Sequence, residues 1–213
     1  VTGVSTRRVV LWRHGQTPWN VAGRVQGHSD TDLNEVGRAQ AREAATELAR
    51  FKPDAIVSSD LKRARDTAGY LAAETGVDVR VDSHFREMNF GAREGLTWRE
   101  AWDKFPDGMR AWVNGDETQI EGSETHRQAG ERFASGLRLA MQDMAPGSTL
   151  VVVAHGAILR LGTCVFLDFP ESHWSTIGGL GNCAWSVLEE TSRDSWSKWR
   201  LTEWNQNVGA PRS

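Results

Sequence analysis

Val9-Val10-Leu11-Trp12-Arg13-His14-Gly15-Gln16-Thr17 and Leu150-Val151-Val152-Val153-Ala154-His155-Gly156 follow one pattern: a short apolar run leading to a His-Gly pair, through Arg13 in the first and directly in the second. A run of four or five apolar residues is too short for a helix and reads as a strand buried on both faces, as in a parallel sheet. Ligands of open α/β sheets collect beyond the carboxyl ends of the strands. Two imidazoles far apart in sequence are therefore expected to share one pocket at one sheet edge.

Outward from these strands, Asn34 to Phe51 carries Val36, Ala39, Ala44, Ala45, Leu48 and Phe51 at helical spacing and stops before Pro53. Ala55 to Val57 is a short buried strand, Leu61 to Glu74 a helix closed by Gly76, and Val77, Val79 and Val81 alternate as a strand should. Ser123 to Met144 reads as a long amphipathic helix ended by Pro146-Gly147, and Ala157 to Phe166 as another. Val187-Leu188 and Trp199 to Leu201 suggest the last two strands. The expected fold class is α/β: a three-layer αβα sandwich whose central sheet is mostly parallel with an antiparallel edge. Residues 1–213 read as a single domain, with a lid-like insertion around Leu96 to Gly122 broken by Pro106, Gly108 and Gly115. The tail from Gln206 to Ser213 reads as frayed.

The composition, 39% hydrophobic and 25% charged over 213 residues, is ordinary for a globular chain. No stretch approaches the roughly twenty apolar residues needed to span a bilayer, and VTGVSTRR lacks the apolar core of a signal peptide, so a cytoplasmic location is the expectation and no membrane partner is foreseen. A formal charge of −3 gives no electrostatic ground for nucleic acid. Cys164 and Cys183 lack CxxC spacing and read as buried free thiols. Ten tryptophans stand against one tyrosine, and packing is the first reading of each. For Trp98, Trp102 and Trp112, in the lid-like segment, a sugar-stacking wall is the second.

RHGQTPWN, SSDLKRARDTA, FREMNFGAREG and VVAHGAILR, in this order across roughly the whole chain, resemble the successive signatures of the histidine phosphatase superfamily, in the branch with cofactor-dependent phosphoglycerate mutases and related phosphatases. Within it, VQG and the late segments WSTIGGLGNCAWSVL and KWRLTEWN look like the glucosyl-3-phosphoglycerate phosphatase group. Gln16, where a glutamate is common, and Arg93, where an apolar or aromatic residue is frequent, depart from the wider pattern.

The resemblance implies that His14 is the nucleophile, forming a phosphohistidine. A neutral ring is required, and a hydrogen bond from its other nitrogen to a backbone carbonyl would fix the tautomer. Phosphoryl transfer mainly needs fixed positive charge and donors around the equatorial oxygens, which Arg13, Arg63 and His155 would supply. Asn20 and Thr17 offer uncharged donors, Gly15 and Gly156 permit close backbone approach, and Gln26 and Gly27 resemble a pocket-edge segment that contacts substrate. Glu87 matches the family's acid position, with Glu94 a competitor whose position is more often structural. His28, His84, His126 and His173 sit in surface or packing contexts.

No metal and no cofactor are expected. A His14–His155 metal site is set aside, because there is no HExxH-type cluster and flanking arginines would repel a divalent ion. The implied activity is metal-independent hydrolysis of a small phosphorylated metabolite, with glucosyl-3-phosphoglycerate as the leading substrate and a homodimer as the assembly the resemblance suggests. The basic residues by which mutases of the family grip phosphoglycerate have no clear counterpart in LTWREAWDKFPDGMRAW. A phosphoglycerate mutase is the alternative reading, and a non-catalytic binding protein of the same fold a more distant one.

Overall fold

Alternation along β1 (Arg8–Arg13) sends Val9 and Leu11 to one face of the sheet and Val10 and Trp12 to the other, and all four are fully buried. The same division holds in β2 (Ala55–Ser58) and β4 (Thr149–Ala154). The computed structural model, which describes residues 6–191 and 198–209, builds a six-stranded sheet in the order β3-β2-β4-β1-β5-β6. In it β3 (Val79–Val81), β2, β4 and β1 run parallel, while β5 (Trp185–Glu190) is antiparallel to both β1 and β6 (Trp199–Gln206).

Helices cover both faces. Ala41, Ala44, Ala45 and Leu48 of α2 (Glu35–Ala49) and Ala64, Ala68 and Leu71 of α3 (Lys62–Thr75) pack against Val10, Trp12, Val151 and Val153. On the other side, Phe133 and Leu137 of α6 (His126–Ala140) and Ile158 and Leu161 of α7 (Gly156–Phe166) pack against Val9, Leu11 and Val152. This is the expected αβα sandwich. The chain leaves β1 for one helical layer and β4 for the other, so these adjacent strands form a switch point of the kind where α/β sheets bind ligands.

Several boundaries differ from the sequence reading. α6 begins at His126, because Thr125 accepts from Gln128 N while the Gln128 side chain accepts from Thr125 N, a reciprocal cap that fixes the first turn. Ser123 instead bridges to Phe90. Val77 packs in the core but lies outside the ladder, which starts at Val79 opposite Ile56. Gln206 ends β6, so it is not frayed; 210–213 lie outside the described residues. Both β5 and β6 outrun their apolar cores, and alternate residues of β6 are exposed or half-exposed.

The Leu96 to Gly122 segment holds two helices, α4 (Trp98–Lys104) and α5 (Pro106–Val113), over a small apolar cluster of Ala101, Met109 and Ile120. Arg24, just past the short helix α1 (Pro18–Val21), donates to Gly95 O at 2.6 Å and to Glu100 Oε2 at 2.7 Å, tying the segment to the loop after β1. Trp98 stands edge-on to Trp102 and Trp112, with centroids at 6.4 and 5.8 Å, and Trp112 also meets the His126 ring at 5.7 Å. Among the described residues no helix is long and apolar enough to cross a membrane.

Candidate active site

The parallel register of β1 and β4 pairs Arg13 with Ala154, so both strands end level and the next residue of each is a histidine. The ring centroids of His14 and His155 lie 5.1 Å apart. His14 is anchored by its own backbone: its N–H donates to Ala154 O at 3.0 Å, and its carbonyl accepts from Cys183 N at 3.2 Å. Its Nδ1 lies 2.7 Å from Gly15 O. A carbonyl can only accept, so Nδ1 carries the proton and Nε2 keeps a free lone pair. Burial, reinforced by Arg63 and Arg13, holds the ring well below the ordinary histidine pKa, and therefore neutral.

The two arginines differ in how fully they are committed. Arg63, wholly buried in the first turn of α3, donates from Nε to His155 Nδ1 at 3.1 Å, from Nη1 to Ser29 O at 2.8 Å and from Nη2 to Gly27 O at 2.8 Å. Desolvation lowers its pKa to about 10, which still leaves it charged at neutral pH. Arg13 donates from Nη1 to Leu180 O, while its buried Nε has no protein partner. An unpaired buried N–H on a cation is costly, and an anionic oxygen is its natural acceptor. His155 Nε2 contacts Ser59 Oγ at 2.8 Å, and burial, then Arg63, hold this ring well below its ordinary pKa. The expectation of positive charge from His155 is corrected accordingly: it is a neutral imidazole here, and the fixed charge is that of the arginines.

Glu87 is buried at the start of α7. Its Oε1 accepts from Ile158 N and from its own neighbour Met88 N, both at 2.8 Å, and Oε2 accepts from Ala157 N at 3.1 Å. The N-cap residue of α7, His155, makes no side-chain cap bond, so Glu87 satisfies that helix end from another segment. Glu94 is committed elsewhere: it accepts from His28 N at 2.8 Å and from Ser29 N and Oγ at 3.0 and 2.9 Å. Among the described residues no group of three His, Cys, Asp or Glu side chains is placed to hold a metal ion.

Residues 9–207 match the model of the histidine phosphatase superfamily, branch 1. The chain belongs to this superfamily. It is 38% identical to a glucosyl-3-phosphoglycerate phosphatase of Mycobacterium tuberculosis, over 95% of this chain and 96% of that one. It is 34% identical to a metal-independent phosphoserine phosphatase of Arabidopsis thaliana, over 92% and 80%. A solved mycobacterial glucosyl-3-phosphoglycerate phosphatase in complex with VO3 superposes with a TM-score of 0.85 at 38% identity, covering 93% of this chain and 98% of that one. The protein is a histidine phosphatase.

Around the histidine pair of this phosphatase, the remaining sequence-selected residues divide. Asn20 accepts at Oδ1 from Thr17 N at 3.0 Å and from Asn182 Nδ2 at 3.2 Å, which fixes the amide so that Nδ2 is its donor edge. Thr17 is fully buried as the N-cap of α1, and its hydroxyl lies 3.0 Å from Gln26 Oε1, which also accepts from Thr31. Both therefore make structural bonds. A Cβ on Gly27, at φ +52°, would fall 1.9 Å from Glu94 Oε1. A Cβ on Gly156 would stand 3.3 Å from the Arg13 guanidinium, and one on Gly15 would stand 2.4 Å from Gly37 O. What these missing side chains admit is protein.

Sequence reasoning missed Ser59, His28 and Asn182. Ser59 follows β2 as His14 follows β1, so the same strand-end rule would have found it. His28 Nε2 lies 2.9 Å from Glu87 O. Asn182 precedes β5, whose antiparallel direction brings its start to the ends of β1 and β4.

Proposed function

We propose that this histidine phosphatase hydrolyses a phosphomonoester through a phosphohistidine on His14 Nε2. The observation that carries the reading is the Nδ1 bond to Gly15 O, 2.7 Å long, which leaves a neutral, oriented nucleophile beside two arginines. Nε2 attacks phosphorus and the ester P–O bond breaks. Glu87 gives its proton to the leaving oxygen, then takes one from a water that attacks the phosphohistidine, breaking P–N and releasing phosphate. Throughout, Nδ1–H stays on Gly15 O. Arg13 and Arg63 meet the charge of the transferring group, with Asn20 Nδ2 as an uncharged donor.

Glucosyl-3-phosphoglycerate is the proposed substrate, supported by 38% identity to an enzyme of that name over nearly the whole chain. The lid arginines Arg99 and Arg110 are largely exposed and face Asp103 and Asp107, so neither is singled out for the substrate carboxylate. A cytoplasmic setting and a homodimer belong to the same proposal, the homodimer resting on the family resemblance.

Phosphate release from glucosyl-3-phosphoglycerate, 3-phosphoglycerate, phosphoserine and a phosphopeptide, each with and without exhaustive chelation, tests the reading. Fastest release from the glucosylated ester, unchanged by chelator, is expected. Preference for the peptide, isomerisation of phosphoglycerate without release, or activity restored by one divalent ion would each refute it. A labelled phosphoenzyme should be alkali-stable, acid-labile and absent from His14→Ala.

A further inference from the structure

Arg132, on α6 and outside every motif singled out in the sequence, spends all five of its N–H donors around the segment that carries Glu87. Nη1 donates to His84 O at 2.9 Å and to Arg86 O at 3.0 Å, and Nη2 donates to Glu87 O at 3.2 Å. The remaining two bonds go to one carboxylate, from Nε to Glu124 Oε1 at 2.8 Å and from Nη2 to Glu124 Oε2 at 2.7 Å. Glu124 Oε2 also accepts from Asn89 N at 2.8 Å, and Glu124 N donates to Asn89 O at 2.9 Å. The segment from His84 to Asn89 is thus clamped through three carbonyls by Arg132 and at its far end by Glu124.

Two of its contacts with the rest of the protein bear on Glu87. Its carboxylate meets the N–H groups of Ala157 and Ile158, and its carbonyl also takes His28 Nε2. We propose that Arg132, anchored by Glu124, is the positioning residue that fixes the Glu87 carboxyl against the leaving oxygen. The inference rests on the reading of Glu87 as proton donor. Arg132 acts on the backbone of the loop, with its donors spent on protein acceptors. A lysine, with three donors and no planar fork, cannot span three carbonyls and a carboxylate together. A displacement of about 1 Å at a catalytic group can cost about 10²-fold in rate.

The test is single-turnover phosphoryl transfer over a graded series from alkyl phosphates to dinitrophenyl phosphate. It compares the unmodified enzyme with Arg132→Lys, Glu124→Gln, Glu87→Gln and the Arg132→Lys/Glu87→Gln double variant, with thermal unfolding of each. Arg132→Lys should lose about 10- to 100-fold on alkyl esters, less than about 3-fold on the dinitrophenyl ester, and nothing further when Glu87 is already glutamine. Glu124→Gln, which keeps the guanidinium and weakens its anchor, should show the same slope to a smaller degree and serves if Arg132→Lys does not fold. Equal loss along the series, or an undiminished loss in the Glu87→Gln background, would reduce Arg132 to a scaffold residue. A steep Glu87→Gln series beside flat Arg132→Lys and Glu124→Gln series overturns the positioning proposal alone, whereas a flat Glu87→Gln series removes the acid reading and the proposal with it.

Discussion

Arg63 Nε donates to Nδ1 of His155 across 3.1 Å, a bond that only a neutral imidazole can accept. With Nδ1 occupied, the ring proton sits on Nε2 and is directed at Ser59 Oγ, 2.8 Å away. Two strand ends and a helix are thereby joined: β2 through Ser59, β4 through His155, and α3 through Arg63. Arg63→Lys should lower kcat by about 10²- to 10³-fold, since an ammonium cannot keep His155, Ser29 and Gly27 in one plane while facing phosphate. Vanadate inhibition should weaken in parallel. Retained vanadate affinity in the lysine variant would place the guanidinium outside the phosphate site.

Stability should fall as the pH drops below neutral. His14 and His155 have folded-state pKa values pushed well down, by burial first and by Arg63 next. The unfolded histidine titrates near 6.5, so below about pH 6.5 the unfolded chain binds more protons than the folded one and stability declines with falling pH. Carboxylates do not imitate this between pH 7.5 and 5.5, because Glu190, for instance, is held near 2 by Arg7 and its loss comes at far lower pH. Thermal unfolding should shift downward from pH 7.5 to 5.5, and His14→Gln should flatten the dependence. A Tm that is level or rising across that window would mean that the rings are protonated in the fold.

Two helix glycines should respond oppositely to alanine. A Cβ on Gly37 of α2 would lie 2.1 Å from Gln16 O and 2.6 Å from Gln16 N, backbone atoms that cannot swing aside, and Gln16 is two residues from His14. Gly37→Ala should therefore cost about 1–3 kcal/mol and reduce kcat. Gly69 of α3 has nothing within 4 Å of that direction, and Gly69→Ala should stabilise by about 0.4–1 kcal/mol without touching activity. Denaturant unfolding of the pair reads both signs in one experiment, and a stable, fully active Gly37→Ala would contradict the close crossing.

The contrast between legible and illegible parts has a physical origin. β1, β2 and β4 are buried on both faces, so their apolar runs announce them, and the residue after each run lands at the site. β6 has one face partly in water, and its polar alternation hid five of its residues beyond Leu201. The start of α6 was missed because Ser123 to Thr125 carry the same polarity as a first helical turn, and only the reciprocal bonds of Thr125 and Gln128 decide where the helix begins. His14 and His155 were legible because their motifs follow strand ends, and Arg13 and Arg63 through the resemblance of those motifs to the family's. Ser59 was open to the same strand-end rule, whereas Asn182 meets His14 across 168 positions, a pairing that no local pattern encodes. Arg132 was hidden differently: on an amphipathic helix it reads as one more solvated cation, and only its five acceptors distinguish it.

The departure at Arg93 carries the last prediction. This arginine is 3% exposed, with its guanidinium 4.8 Å from the Trp112 ring and 5.3 Å from the Phe90 ring, and its Nη2 donates to Ser123 Oγ at 3.1 Å. It sets a flat cation between two aromatics and joins α5 to the loop ahead of α6. Arg93→Ala should cost about 2 kcal/mol, since it removes both stacking contacts and leaves a cavity beside Phe90. Arg93→Lys should recover only part of this. Neither change touches His14, Arg13, Arg63 or Glu87, so kcat on a small aryl phosphate should stay within about 3-fold, while KM for glucosyl-3-phosphoglycerate rises if the Trp98 to Trp112 segment covers the bound ester. Equal loss on both substrates would show that Arg93 supports the catalytic loop itself, and unchanged stability would show that the stack contributes nothing.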